Sequence, residues 1–258
     1  NGVVYDQMNS PYPVCAPARS GIITGMYPNS IGTGNMRAYA GSRTLRPEKE
    51  SSLKIPYYSS KLAETIKPFT QILRENGYYC SNNSKRDYNF RLTDKAWDDS
   101  SNNASWENRE GGKPFFSVFN FNVTHESEIW KRDKQQIAVK PNALTVPPVF
   151  PDDSISRHAL AVNYTNLVEM DRQVGLVVKK LKDQGLYDNT YIFFYSDHGG
   201  PFPRYKRAIY ETGSKVPLII KFPKNVRVKE KRNTDMLNFI DFAPTILSIA
   251  GIDIPKVF

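Results

Sequence analysis

The chain of 258 residues is short of cysteine, histidine and long apolar runs. Two cysteines, Cys15 and Cys80, exclude a disulfide framework, and each thiol needs its own explanation. Three histidines exclude a histidine-rich metal store, so each histidine is a candidate for a specific task. No stretch reaches the roughly 18 apolar residues of a membrane span, because charges interrupt every hydrophobic run. Glycine and proline, 15 and 18 residues, are far too few for a collagen-like or linker composition. The chain opens on Asn1 with no basic and then apolar leader. It reads as a fragment, from which no compartment follows.

What is present is ordinary globular material, 40% hydrophobic and 24% charged, enough for one large domain or two small ones. Thirty-five Lys and Arg against 26 Asp and Glu give a net charge of +9, which favours anionic partners. The densest basic run, Lys221 to Arg232, is read as a solvated loop or hairpin, since charge runs usually face water.

Apolar runs at Phe115 to Phe121, Thr190 to Tyr195 and Val216 to Phe222 are too short for helices and predict buried strands. Leu160, Tyr164, Leu167, Met170, Val174, Val177 and Leu181 recur at steps of three and four, predicting a long amphipathic helix that ends near Gly185. Shorter helices are expected from about Leu62 to Glu75 and from Phe242 to Ala250. Strands alternating with helices indicate an α/β fold, a largely parallel central sheet flanked by helices. The stretches 38–60 and 131–154 read as long surface excursions.

In such sheets ligands collect beyond the carboxyl ends of the strands. There the sequence places Asn122 to Glu126 after one strand and Ser196 to Gly200 after another. Asp197 and His198, adjacent on a strand-end loop, are candidate metal ligands, and a hard divalent cation, Ca²⁺ or alternatively Mg²⁺, suits them. His125 is a candidate proton donor to a leaving group. In PVCAPARSGIITG, Pro17 suits the first helical position, so Cys15 is expected at a helix N-terminus, where backbone N–H groups favour an anion. Arg19, four residues on, shares its face. His158 and Cys80 are read as structural, the latter as a packed thiol.

The Cys15 segment resembles the signature of the type I sulfatases, in the alkaline-phosphatase superfamily. SDHG from Ser196, KRAIYETGSKVPLII from Lys206, KPFFSVFNFNVTH and FIDFAPTILSIAG resemble further segments of that family, along almost the whole chain. The resemblance implies an alkaline-phosphatase-like fold and hydrolysis of a sulfate ester, of a sulfated carbohydrate or an aryl alcohol. It implies that Cys15 is converted by a formylglycine-generating enzyme to formylglycine, both nucleophile and metal ligand beside Asp197 and His198, with Ca²⁺ favoured as the metal. Arg19 would then stabilise residue 15, and Lys206 and Lys85 would contact sulfate. Around Lys85 the match is partial: Ser84 stands where glycine is usual and Asp87 where histidine is usual, so Asp87 is read as a sugar hydroxyl acceptor. Trp97, Trp106, Asp98 and Asp99 could extend a sugar-binding surface, with ordinary packing the equal alternative for the two tryptophans.

The same resemblance makes residues 1–258 a partial catalytic domain. It lacks a first strand bearing an aspartate pair for the metal and a C-terminal subdomain, and by itself the chain is expected to be inactive or severely weakened. Asp6 lies in a different context from that pair. A periplasmic, secreted or lysosomal-type location is implied, with which the triplets at Asn82, Asn103, Asn122 and Asn163 are compatible. Nucleic acid is not an expected partner. Two rivals stand: a phosphodiesterase or phosphonate hydrolase of the same superfamily, and a non-catalytic polyanion-binding relative.

Overall fold

A computed structural model describes residues 1–36 and 60–257. The predicted excursion at 38–60 lies, but for Ser60, outside the described residues. The chain runs through β1 (Gly2–Asn9), α1 (Cys15–Thr24), α2 (Phe69–Glu75), β2 (Tyr79–Asn83), β3 (Asp99–Ser100), β4 (Phe115–Phe119), α3 (Ser154–Asp183), β5 (Ile192–Tyr195), β6 (Leu218–Lys221), β7 (Arg232–Asn238) and α4 (Phe242–Ile249), with single helical turns between. The strands form two sheets, β5-β6-β1-β7 and β3-β2-β4.

Pairing is parallel for β2 with β3, β2 with β4, and β1 with β7. β6 runs antiparallel to β5 and to β1. The cause is local: the connection from β5 to β6, residues 196–217, contains no helix longer than the single turn Glu211–Ser214, so the chain folds back instead of making the helical crossover that parallel neighbours require. β1 was hidden in the sequence because Gly2 to Asn9 is short and passes directly into a turn-rich stretch, yet it is the strand between β6 and β7. Asp6, at the irregularity in its pairing with β7, is held by Arg232 at 2.6 Å.

α2 begins later than the sequence suggested. Pro68 keeps Lys67 out of helical geometry and occupies the N-cap, so the helix starts at Phe69. α3 spans 30 residues, its N-terminus capped by Asp153 accepting from the Ser156 N–H at 2.8 Å. After its end Gly185 takes a left-handed φ of 69°, as a chain reversal requires. The basic run from Lys221 passes through exposed loop before Arg232 enters β7. Among the described residues no helix is long and apolar enough to cross a membrane.

Two clusters hold the layers together. Met8, Ile22, Val216, Leu218, Phe239 and Phe242 join α1 and α4 to the four-stranded sheet. Phe69, Leu73, Cys80, Ala243 and Leu247 join α2 and α4 to β2. Between the two sheets, β4 and β5 each have a strand partner on one side only among the described residues. They face a cavity of about 1360 Å³. Leu167, Met170, Val174 and Val177, the middle of the predicted stripe on α3, line this cavity, while Leu160 and Leu181 near its ends are packed.

Leu218 is 1% exposed at the centre of the first cluster. Replacing Leu218 by Ala leaves a void between two neighbouring strands and α4, and is expected to cost about 2–5 kcal/mol. In urea the unfolding midpoint drops while the slope stays unchanged.

Candidate active site

Four strand ends, those of β1, β2, β4 and β5, and one helix start meet at the site. Val14, extended and without a side-chain cap, precedes the first turn of α1, so Cys15 is the first helical residue and its backbone N–H lies among the orphan donors. Pro17 is the third residue rather than the first, a position equally free of a lost hydrogen bond. Beyond β5, the Ser196 hydroxyl donates to the His198 carbonyl at 2.6 Å and closes the turn that presents Asp197 and His198. Ser10, at the end of β1, donates to the Asp197 carbonyl at 2.8 Å.

Cys15, Arg19, Lys85, Asp87, His125, Asp197, His198 and Lys206 come to this corner. Cys15 Sγ lies 3.0 Å from His198 Nε2. His198 Nδ1 donates to the Gly199 carbonyl at 2.7 Å, which turns Nε2 toward Cys15. Arg19 donates through Nε to Asp197 Oδ2 at 3.0 Å and through Nη2 to Asn120 Oδ1 at 2.7 Å. Lys85 Nζ is 4.0 Å from the same Asp197 oxygen and 3.8 Å from Asp87 Oδ2. His125, after β4, takes Ser127 as partner for Nδ1 at 2.9 Å and directs Nε2 to Lys206 Nζ at 3.4 Å.

Charge explains the ionisation states. Burial pushes the Cys15 thiol up, but hydrogen bonds to His125 and His198 and the charge of Lys85 outweigh it and bring the thiol to about 5. Burial likewise opposes the Asp197 carboxylate, yet Arg19, His198 and Lys85 hold it at about 2. Cys80 is the contrast: burial raises its thiol well above the ordinary range, as befits a packed side chain. Its Sγ donates only to the Thr70 carbonyl.

Cys15, Asp197 and His198 offer donor atoms within 4.8 Å of one another, the only such group among the described residues. Arg19 occupies one Asp197 oxygen and leaves the other, 3.6 Å from His198 Nε2, for a cation. This set fits one face of a divalent ion's shell; the six to eight oxygens that Ca²⁺ prefers demand further donors.

Two sequence readings are corrected. Trp106 is 2% exposed, stacks on Phe115, and donates to Gln184 Oε1, while Trp97 stacks on Phe116. These rings pack the sheet and offer no open sugar platform. Asp98 accepts from the Cys80 N–H and pairs with Arg74, and Asp99 accepts from Asn108, so both serve the fold. Asn82 is fully buried and donates to Ser100 Oγ at 2.9 Å, which closes that triplet to glycosylation in the folded chain.

Three neighbours were missed. Asn120 anchors Arg19, Arg207 follows Lys206, and Glu126 follows His125. Adjacency to a named residue was the available signal for the last two. Glu126 accepts from both Arg207 terminal nitrogens, at 2.8 and 2.6 Å, and from Lys206 at 3.2 Å. The Arg207 hydrogen bonds, against the opposing pull of burial and with help from Lys206, hold its carboxyl at about 2.

Residues 1–252 match the model of the Sulfatase family, and the chain belongs to that family. An ulvan-active sulfatase of Formosa agariphila is 39% identical over 285 residues, covering 97% of this chain and 46% of that protein. The chain thus spans about half the length of that curated relative. A 2-O GAG sulfatase structure aligns over 99% of this chain and 64% of its own, with TM-score 0.67 and 18% identity. The phosphonate monoester hydrolase of Silicibacter pomeroyi aligns over 99% of this chain and 67% of its own, with TM-score 0.65 and 14% identity. At such identities the two structures speak for the fold alone.

Gly199 ties the turn of Asp197 and His198 to the segment that follows Lys206. Its N–H donates to the Gly213 carbonyl at 2.8 Å, and an added Cβ would stand 1.9 Å from the Thr212 carbonyl oxygen. Gly199→Ala therefore forces the two loops apart, and calorimetry should record a lower melting temperature, with a cost of about 1–3 kcal/mol or more. A second outcome concerns acid. Because Glu126 is depressed from 4.5 to about 2 in the fold, its stabilisation is present above the unfolded value and is lost as pH falls through the folded one. Glu126→Gln lacks that titration, so the stability gap between parent and variant narrows as the pH is lowered from 5 toward 2.5, read by denaturant midpoints at each pH.

Proposed function

We propose that this chain carries the catalytic centre of a sulfatase that removes sulfate from a sulfated carbohydrate. The observation that supports it most is the convergence of Cys15, Asp197 and His198 inside a ring of cations, Arg19, Lys85 and Lys206. A sulfate monoester needs its charge neutralised, a nucleophile in line with the leaving oxygen, and a proton for the departing alcohol. Lys85 and Lys206 neutralise sulfate oxygens, Arg19 orients Asp197 and the side chain at position 15, and His125 protonates the leaving oxygen.

Conversion of Cys15 to formylglycine, by a formylglycine-generating enzyme, would supply one hydroxyl of a hydrated aldehyde for attack and a second whose collapse expels sulfate. Asp197, His198 and the oxygen at position 15 would hold the cation, Ca²⁺ or alternatively Mg²⁺, whose chemistry when bound is to polarise the sulfate and acidify the attacking hydroxyl. The ulvan-active relative supports a sulfated polysaccharide as substrate class and, with it, a secretory location. Asp87, beside Lys85, remains the proposed acceptor of a sugar hydroxyl.

The domain is proposed to be completed by an additional strand. The cavity between β4 and β5 supports this, since both strands deliver their last residues to the site and both face it with apolar side chains. A strand seated there would bring its own C-terminal residues to the open side of the Asp197 and His198 pair, where carboxylates would finish the cation shell.

Mass spectrometry of the peptide bearing Cys15, from a host with the maturing enzyme, should show sulfhydryl replaced by carbonyl oxygen. Supplying the completing segment with calcium should then raise hydrolysis of aryl sulfate and sulfated oligosaccharide well above that of the chain alone. Preferred turnover of phosphate or phosphonate esters would favour the hydrolase rival. An unmodified thiol with salt-sensitive heparin binding and no turnover would favour the polyanion-binding one. Full activity without the added segment would refute the completing strand.

A further inference from the structure

Lys206 poses a physical problem that its proposed role leaves open. Its side chain is 3% exposed, so its ammonium has left water almost entirely, and a lysine side chain has four rotatable bonds by which to leave a given spot. Among the described residues its ammonium meets two polar groups, His125 Nε2 at 3.4 Å and Glu126 Oε1 at 3.2 Å. Histidine cannot compensate the charge, which leaves the carboxylate.

We propose that Glu126 is the positioning residue for Lys206, holding its ammonium beside His125 at the edge of the Cys15 centre. The inference rests on the reading of Lys206 as a sulfate-binding cation. Glu126 can hold only because it is itself held. Arg207 grips both of its oxygens, at 2.6 and 2.8 Å, in the planar fork geometry of guanidinium with carboxylate. The Arg207 backbone is pinned in turn: its N–H donates to the Pro13 carbonyl at 2.7 Å, with φ of 72°. Pro13 lies two residues before Cys15. A closed circuit results, from the Cys15 loop through Arg207 and Glu126 to Lys206 and His125, joining three loops that the sheet alone does not fix relative to one another. Glu126 is unsuited to acid catalysis, because its carboxyl is ionised at neutral pH. Its distance and charge suit it to fixing a cation.

The test is a double-mutant cycle in the full-length, matured enzyme. Glu126→Gln, nearly isosteric but neutral, should lower kcat by about 100-fold, the scale of a misplaced catalytic group, with a smaller change in KM. Glu126→Asp should recover part of that loss. In a Lys206→Ala background, Glu126→Gln should change kcat by no more than about twofold, since the group it positions is gone. Equal losses in both backgrounds, or no loss in either, would overturn the assignment. A crystal structure of Glu126→Gln gives a reading independent of turnover. Lys206 Nζ displaced from His125 supports the proposal, and Lys206 unmoved sinks it. If the parent hydrolyses no sulfate ester, the sulfatase reading fails by itself, and the crystallographic arm still decides the role of Glu126. Should Glu126→Gln not fold, Glu126→Asp carries both arms.

Discussion

One carboxylate, that of Asp197, is shared among three basic side chains, and the rest of the site is arranged around that sharing. Arg19 approaches Oδ2 at 3.0 Å, Lys85 stands 4.0 Å from the same oxygen, and His198 lies 3.6 Å from Oδ1. Each comes from a different part of the chain: α1, the loop after β2, and the turn after β5. Asp197 and Arg19 are both largely enclosed, and leaving either one alone would cost about 3–5 kcal/mol, so the pair fixes α1 against β5 as firmly as a core contact does. The same ion pair orients the helix end that carries Cys15. The fold and the chemistry therefore share one interaction.

The ring of positive charge has a second consequence. With Arg19, Lys85, Lys206 and Arg207 around it, an anionic oxygen at position 15 or on a bound ester enters a field already built for it, so little reorganisation is needed when charge develops there. Glu126 and Asp197 temper this field from the outside. Both are ionised, and each is paired with named cations, Glu126 through both oxygens and Asp197 through Oδ2. An anion entering the site therefore meets cations held in place by carboxylates.

Much of this was legible in the residues. The strands at Phe115, Ile192 and Leu218 and the long helix declared themselves through apolar runs and a 3.6-residue period. Cys15, Arg19, Asp197, His198, His125, Lys85 and Lys206, which the structure brings together, were named because short motifs, several of them shared with a known family, place particular chemical groups at strand and helix ends. β1 was not legible, because its eight residues carry half-buried polar side chains and depend on partners more than two hundred positions away. The antiparallel course of β6 was hidden for a related reason: it follows from what the connection lacks, a crossover helix, and apolar content is silent about direction. The tryptophans stayed open between two readings because an aromatic ring beside acidic residues has the same composition whether it faces sugar or, as Trp106 does, Phe115 and Phe119.

The two cysteines show why position outweighs residue type. Both are buried, and burial alone would make both inert. Cys80 sits mid-strand between α2 and α4, with a backbone carbonyl as its sulfur's partner, and its thiol is driven upward. Cys15 is also withdrawn from solvent, yet it stands at a helix start with two imidazoles and a lysine turned toward it, and the hydrogen bonds of the imidazoles with the charge of Lys85 overcome the desolvation. The difference is made by elements far apart in sequence: β5 brings His198 and β4 brings His125. The groups that favour a thiolate at position 15 also favour any anionic oxygen put in its place, and the sheet edges that position them border the cavity between β4 and β5.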